Sequence, residues 1–325
     1  MERIKPYVKE IEEALAAIQL PAAPKKLYEP LLYMFDLGGK RIRPALVLLG
    51  AELFGRQDRS DVMPLALAIE LFHNFTLIHD DIMDNAPLRR GKETVYKKWN
   101  TNVGILSGDV LLVKAYQMIS RCSESILAEV LAVFNAVAVE VCEGQQLDMD
   151  FESLDFISKQ EYIDMIRLKT SVLLGCALKM GAICAGANAT NQQAIYEYGV
   201  NLGIAFQLQD DILDVYGDEN RVGKQIGGDI LENKKTILLV TLMERLGEKD
   251  RGELKITLHR NYDREQDKIQ QVMALYREHN VLEEATKLKE YYSNKAFKIL
   301  ESLPVDEGKK VLLNGLSHAL LNRLS

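Results

Sequence analysis

Residues 77–84 read Leu77-Ile78-His79-Asp80-Asp81-Ile82-Met83-Asp84, and residues 207–214 read Gln207-Leu208-Gln209-Asp210-Asp211-Ile212-Leu213-Asp214. Both carry Asp-Asp-x-x-Asp, 130 positions apart, inside strongly apolar sequence of helical period. Residues four apart share a helix face, so Asp80 points with Asp84 and Asp210 with Asp214. A solvated acidic face is the plainest account of one such triplet. Phe72, Phe75, Leu77, Ile78 and Ile82 leave the first helix little solvated face, and Ile204, Phe206, Leu208, Ile212 and Leu213 do the same for the second. Two such faces brought together concentrate four carboxylates, which repel one another unless cations intervene. Ligand oxygens alone favour a hard ion, Mg²⁺ above others, which keeps waters and also binds phosphates.

Each acidic helix end runs into a basic, glycine-bearing connection. Asn85 to Asn102 holds Arg89, Arg90, Gly91, Lys92, Lys97 and Lys98; Gly217 to Asn233 holds four glycines and Lys224. Upstream, Gly38-Gly39-Lys40-Arg41-Ile42-Arg43-Pro44 is a basic turn entering a helix, where free N–H groups and Arg side chains can grip an anion. Cations beside metal-loading carboxylates point to a ligand with two phosphates.

The rest of the chain reads as helix, with no alternating strand pattern and no linker, so the expectation is an all-α fold and one domain over residues 1–325. Expected helices span about 2–19, 25–37, 44–54, 61–84, 103–121, 124–150, 158–187, 191–216, 234–247, 265–279, 281–302 and 306–323, with Ser158 and Asn191 as N-caps. Apolar content of 47% supports a large core, and a net charge of −7 argues against nucleic-acid binding. Cys122, Cys142, Cys176 and Cys184 form no CxxC pair and suit a reducing compartment. No apolar signal segment and no run of 18 uncharged apolar residues is found, so a cytoplasmic protein without stable membrane insertion is expected.

Together with Gly144-Gln145-Gln146-Leu147-Asp148, Lys169-Thr170 and Gly223-Lys224, these motifs resemble those of the all-trans isoprenyl diphosphate synthases, in family order from about residue 38 to 235. The resemblance implies a single large antiparallel helical bundle around a central apolar cavity. It implies a prenyltransferase that condenses isopentenyl diphosphate with an allylic diphosphate, three Mg²⁺ ions and a homodimer. Asp80 and Asp84 then hold two ions, and Asp210 a third, with Asp214 near it through water. Asp81 and Asp211, about 100° around their helices, stand behind these ligands. Arg89, Lys169 and Lys224 hold the allylic diphosphate, with Lys234 near it. Lys40, Arg43, His73 and Arg90 hold isopentenyl diphosphate. Thr170 and Gln207 turn oxygens toward the carbocation. The departing diphosphate takes the proton, and residues 217–233 serve as the lid.

The same resemblance makes Phe75 and Thr76 set product length. Five residues before Asp80 is a depth of about 7.5 Å, which favours fifteen or twenty carbons; Phe72, a turn deeper, is the alternative stop. An aromatic Phe75, a small Thr76 and no insertion in the first motif are similar to archaeal-type geranylgeranyl enzymes. A longer-chain synthase is the runner-up. A class I terpene cyclase would not need Lys40, Arg43 and Arg90, and its second motif differs from DDxxD. A di-iron bundle needs two Glu-x-x-His pairs, and only Glu70 to His73 supplies one. A non-catalytic partner subunit would have degraded aspartate motifs, whereas both are intact here.

Overall fold

The computed structural model describes residues 4–217 and 226–321. Its regular structure is almost wholly helical. In chain order the helices are α1 (Lys5–Ala16), α2 (Lys25–Asp36), α3 (Ile42–Leu53), α4 (Val62–Met83), α5 (Val95–Lys98), α6 (Thr101–Ile119), α7 (Glu124–Ser153), α8 (Lys159–Ile166), α9 (Val172–Cys184), α10 (Ala189–Tyr216), α11 (Gly228–Leu231), α12 (Ile237–Arg245), α13 (Glu248–His259), α14 (Glu265–Glu278), α15 (Val281–Ser302) and α16 (Glu307–Leu321). Between α4 and α5 lies an antiparallel ribbon, β1 (Leu88–Arg89) with β2 (Lys92–Glu93), in which Leu88 faces Glu93 and Arg89 faces Lys92. A π-helical turn, Arg167–Ser171, joins α8 to α9.

The chain forms two compact units. The first takes Met1–Ala136, Cys176–Tyr196 and Leu303–Leu316. Its centre is α4, against which α1, α3, α5 and α6 pack. Leu65, Ala66, Ala68, Ile69, Leu71, Phe72 and Ile78 of α4 are buried, as are Ala45 to Ala51 of α3. A helix apolar around most of its circumference must lie inside, and α4 begins in that state and emerges only at its aspartate end.

The second unit takes Val137–Gly175, Glu197–Ser302 and Ser317–Ser325. Its core helix is α12, whose residues Ile237 to Met243 are all buried, with α8, α14 and α15 packed against it. Each such Leu or Ile removed from water contributes about 1.5–3 kcal/mol. Ser158 caps α8 in a reciprocal box with Glu161, as expected. The start of α10 differs from expectation: it begins at Ala189, and the side chain of Asn188, not Asn191, accepts the Asn191 amide at 2.9 Å.

Four elements escape the sequence reading. Helix α13 buries only Leu254 and Leu258 and therefore shows little amphipathic period. The β-ribbon and the four-residue α5 and α11 are too short to carry any period. Among the described residues two helices, α4 and α7, are long and apolar enough to cross a membrane by length and composition. In α4 most of that stretch is core, but in α7 only 22% of it is buried. Of the four cysteines, Cys142 on α7 alone is exposed.

Candidate active site

In the first unit, α4 delivers the first aspartate motif. Asp84 lies just past the last helical residue, yet its amide still bonds to the Asp80 carbonyl at 2.8 Å, so the two carboxylates keep one face. Asp81 is 1% exposed and turned away. Arg89 Nε donates to both its oxygens at 2.9 Å, and Nη2 lies 2.7 Å from Oδ1. Burial raises the Asp81 pKa while Arg89 opposes the rise. The ribbon β1–β2 presents Arg89, and Arg90, at φ +54°, reaches back to donate to the Gly38 carbonyl.

The Gly38–Gly39 turn exists because both residues take positive φ, +70° and +152°. A Cβ on Gly39 would meet the Arg90 guanidinium at 3.0 Å. The next residue, Arg41, holds φ +48° although it is not glycine. Its buried guanidinium bonds Glu70 at 2.5 Å and the Phe35 carbonyl at 2.9 Å, contacts that offset the strain. Asn74 Nδ2 donates to the Glu70 carbonyl at 2.7 Å. The anchored turn leaves Lys40 exposed and brings Arg43 Nη1 to 3.1 Å from His73 Nε2. Arg can only donate, so that nitrogen accepts. Burial, then Arg43, Arg90, Arg89 and Arg41, hold the His73 pKa well below its usual value, so His73 is neutral. Burial and Arg90 lower the Arg43 pKa while Glu70 and Asp80 oppose them, and its partner His73 stands two turns before Asp80 on one face of α4. Sequence reasoning therefore located Arg43, His73 and Arg90 together, and it missed Arg41, Glu70 and Asn74, which hold them.

On the same helix the Phe75 ring lies 5.6 Å from Phe72 and 4.7 Å from His79. Phe72 is 1% exposed and meets Phe134 edge-on at 5.2 Å. Thr76 Oγ1 bonds the His73 carbonyl at 2.9 Å.

In the second unit, Lys169 and Thr170 sit in the π turn, an element frequent at functional sites. Lys169 Nζ pairs with Asp148 Oδ2 at 2.5 Å. Gly144 on α7 lies so close to the Lys169 backbone that any Cβ there would overlap it. The buried amide of Gln145 has no protein partner on either atom. The second aspartate motif comes from α10. Asp211, 3% exposed, is held by the Tyr162 hydroxyl, by the Ile237 amide at 3.1 Å and by Gln207 Nε2 at 3.1 Å. Burial, then Asp229, pushes its pKa up to about 7. Gln207 thus spends its amide nitrogen on Asp211 and keeps its carbonyl oxygen for other use.

Asp210 and Asp214 are partly exposed. Asp214 anchors the returning chain: its carbonyl accepts the Gly227 amide at 2.7 Å and its Oδ2 the Asp229 amide at 3.1 Å. Asp229 adds an acidic group that sequence reasoning missed; a lone aspartate directly after the Gly227-Gly228 pair gives no local signal. Lys234 is exposed, and its amide bonds the Asp229 carbonyl at 2.9 Å. Lys224, and the part of the expected lid at 218–225, lie outside the described residues.

Among the described residues no group of three or more His, Cys, Asp or Glu could hold an ion unaided. Each motif offers a pair of carboxylates four residues apart on one helix face. This donor set fits Mg²⁺, which completes its shell with water and phosphate oxygens.

Comparison with known proteins shows the family. The polyprenyl synthetase family matches residues 24–278. A short chain isoprenyl diphosphate synthase of Methanocaldococcus jannaschii is 44% identical over 224 residues, 69% of this chain and 68% of that one. A geranylgeranyl diphosphate synthase of Methanosarcina mazei is 40% identical over 247 residues, 75% of this chain and 76% of that one. The crystal structure of a geranylgeranyl pyrophosphate synthase superposes with a TM-score of 0.91 at 44% identity, covering 100% of this chain and 98% of that one. In sequence, in its all-helical bundle fold and in both aspartate-bearing helices, this chain belongs to the polyprenyl synthetase family.

Proposed function

We propose that this protein is a trans-prenyltransferase that joins isopentenyl diphosphate head-to-tail to an allylic diphosphate and stops at fifteen or twenty carbons. The enzyme class and the short-chain product follow from the family and its relatives. The single observation that carries the two-substrate reading is the cationic set Arg43, His73 and Arg90 beside the Asp80 face. A cyclase, with one diphosphate to hold, has no use for it.

In this reading Lys40, Arg43, His73 and Arg90 bind isopentenyl diphosphate. A neutral His73 donates from Nδ1 and adds no charge of its own. Arg89, with Nε and Nη2 on Asp81, keeps Nη1 for the allylic diphosphate. Lys169 shares its three N–H groups between Asp148 and that diphosphate, and Lys234 supplies a further cation; Lys224 is assigned the same role from its motif alone. Thr170 and Gln207 offer oxygen dipoles to the allylic cation. The departing diphosphate takes the proton lost after carbon–carbon bond formation. Asp80, Asp84, Asp210 and Asp214 would hold Mg²⁺, three ions in all, which neutralises charge on the leaving diphosphate.

Phe75 is the proposed floor for the tail, backed by Phe72. The domain assignment is a single polyprenyl synthase domain, supported by a family match that runs through both compact units. The apolar exposed side of α7 supports a homodimer. Four thiols without a disulfide and water-soluble substrates support a cytoplasmic protein.

The test supplies Mg²⁺, labelled isopentenyl diphosphate and primers of five to twenty carbons, with products sized by chromatography. Products ending at fifteen or twenty carbons are expected; no elongation from any primer sinks the reading. Phe75→Ala is expected to lengthen the product, and an unchanged length removes Phe75 as the floor.

A further inference from the structure

Lys268 on α14 is a lysine only 7% exposed. Its ammonium donates to the Leu231 carbonyl at 2.9 Å and to Asn233 Oδ1 at 2.7 Å, both neutral acceptors. A buried ammonium is costly to desolvate, and an apolar side chain of similar shape would serve stability better. What it holds is the C-terminal end of α11. Leu231 is the last residue of that helix, and Asn233 follows in the left-handed conformation at φ +57°. The Asn233 amide bonds the Ile230 carbonyl at 3.2 Å and the Lys234 amide bonds the Asp229 carbonyl at 2.9 Å, a helix-ending turn that favours a cation at its carbonyls.

The next residue on α14 supports the other end of the segment. A Cβ on Gly227, at φ +78°, would meet the Ile269 side chain at 2.9 Å. Gly227 and Asp229 are tied to Asp214 through their amides. The stretch 227–234 is therefore fixed at its start by Asp214 and Ile269, and at its end by Lys268.

We propose that Lys268 is a positioning residue for the reaction: its ammonium, through Leu231 and Asn233, sets the direction in which the chain presents Lys234 and keeps the Asp229 amide on Asp214. The proposal rests on the prenyl-transfer reading, in which Lys234 and Asp214 face the allylic diphosphate. Lys268 touches neither substrate and acts only through the turn.

Three variants test it: Lys268→Met, Asn233→Gly, which keeps the positive φ but removes the side-chain acceptor, and the double variant. Amide hydrogen exchange over residues 226–234 is measured first. Exchange there is expected to quicken by about tenfold or more in Lys268→Met, with the rest of the chain unchanged. In steady-state kinetics kcat/KM for the allylic diphosphate is expected to fall on the order of tenfold to a hundredfold, while KM for isopentenyl diphosphate holds. The double variant is expected to be no worse than Lys268→Met alone, since both act through one contact. Unchanged exchange over 226–234, or additive losses, overturns the proposal. So does a parallel rise in both KM values with a lower thermal midpoint, which marks general support of the fold. If Lys268→Met does not fold, Asn233→Gly carries the same comparison. Failure of the wild-type protein to elongate any primer overturns the prenyl-transfer reading instead and leaves the exchange result standing.

Discussion

Arg41 and Glu70 form an ion pair buried on both sides, 29 residues apart, under the turn that carries Lys40 and Arg43. Removing one partner strands the other charge. Glu70→Leu is therefore expected to cost about 3–5 kcal/mol in denaturant unfolding. The paired Arg41→Met, Glu70→Leu variant should regain most of that stability and still show a raised KM for isopentenyl diphosphate, because the turn has lost its anchor. Full recovery of both would show the pair to be replaceable packing. His73 gives a pH prediction. Its folded pKa lies well below the unfolded value of about 6.5, so the unfolded chain takes up the proton first as pH falls. Its contribution to stability is intact above about pH 6.5 and is lost progressively below it. Urea midpoints for wild type and His73→Asn, compared at neutral and mildly acidic pH, should show the smaller acid loss in the variant; parallel losses would assign the acid limb to other groups.

At the scale of elements, the π turn at Arg167–Ser171 changes the direction of successive side chains and sets Lys169 and Thr170 where a regular helix would not. Gly144 lies against its backbone, so Gly144→Ala must push the turn aside. Such a shift is expected to lower kcat on the order of a hundredfold with KM for isopentenyl diphosphate unchanged; wild-type kinetics would show that the turn can yield. Helices α4, α7 and α10 were legible in the sequence because their apolar runs are long, and Ser158 was legible because its partner Glu161 is three residues on. The supporting contacts were not. Arg41 meets Glu70, Lys268 meets Asn233 and Tyr162 meets Asp211 across 29, 35 and 49 residues, and no local period encodes such pairs. Thus the residues proposed to face the ligand carry a local motif, while the contacts that hold them became visible only when folding brought distant residues together.

At the scale of the whole molecule, α7 carries the prediction. The apolar stretch of this helix is mostly uncovered in one chain, and Val139 on it is 58% exposed. A soluble monomer seldom leaves such a stripe wet, and a second copy is the proposed cover. Val139→Asp is expected to halve the mass found by sedimentation equilibrium; an unchanged mass would move the interface off this part of α7. Cys142 lies three residues beyond Val139, and it is the one exposed thiol among four. That arrangement builds a reporter into the natural sequence. A maleimide dye would mark a single position per chain, quickly on separated chains and slowly on joined ones, so that dissociation could be followed on a clock without introducing any foreign residue.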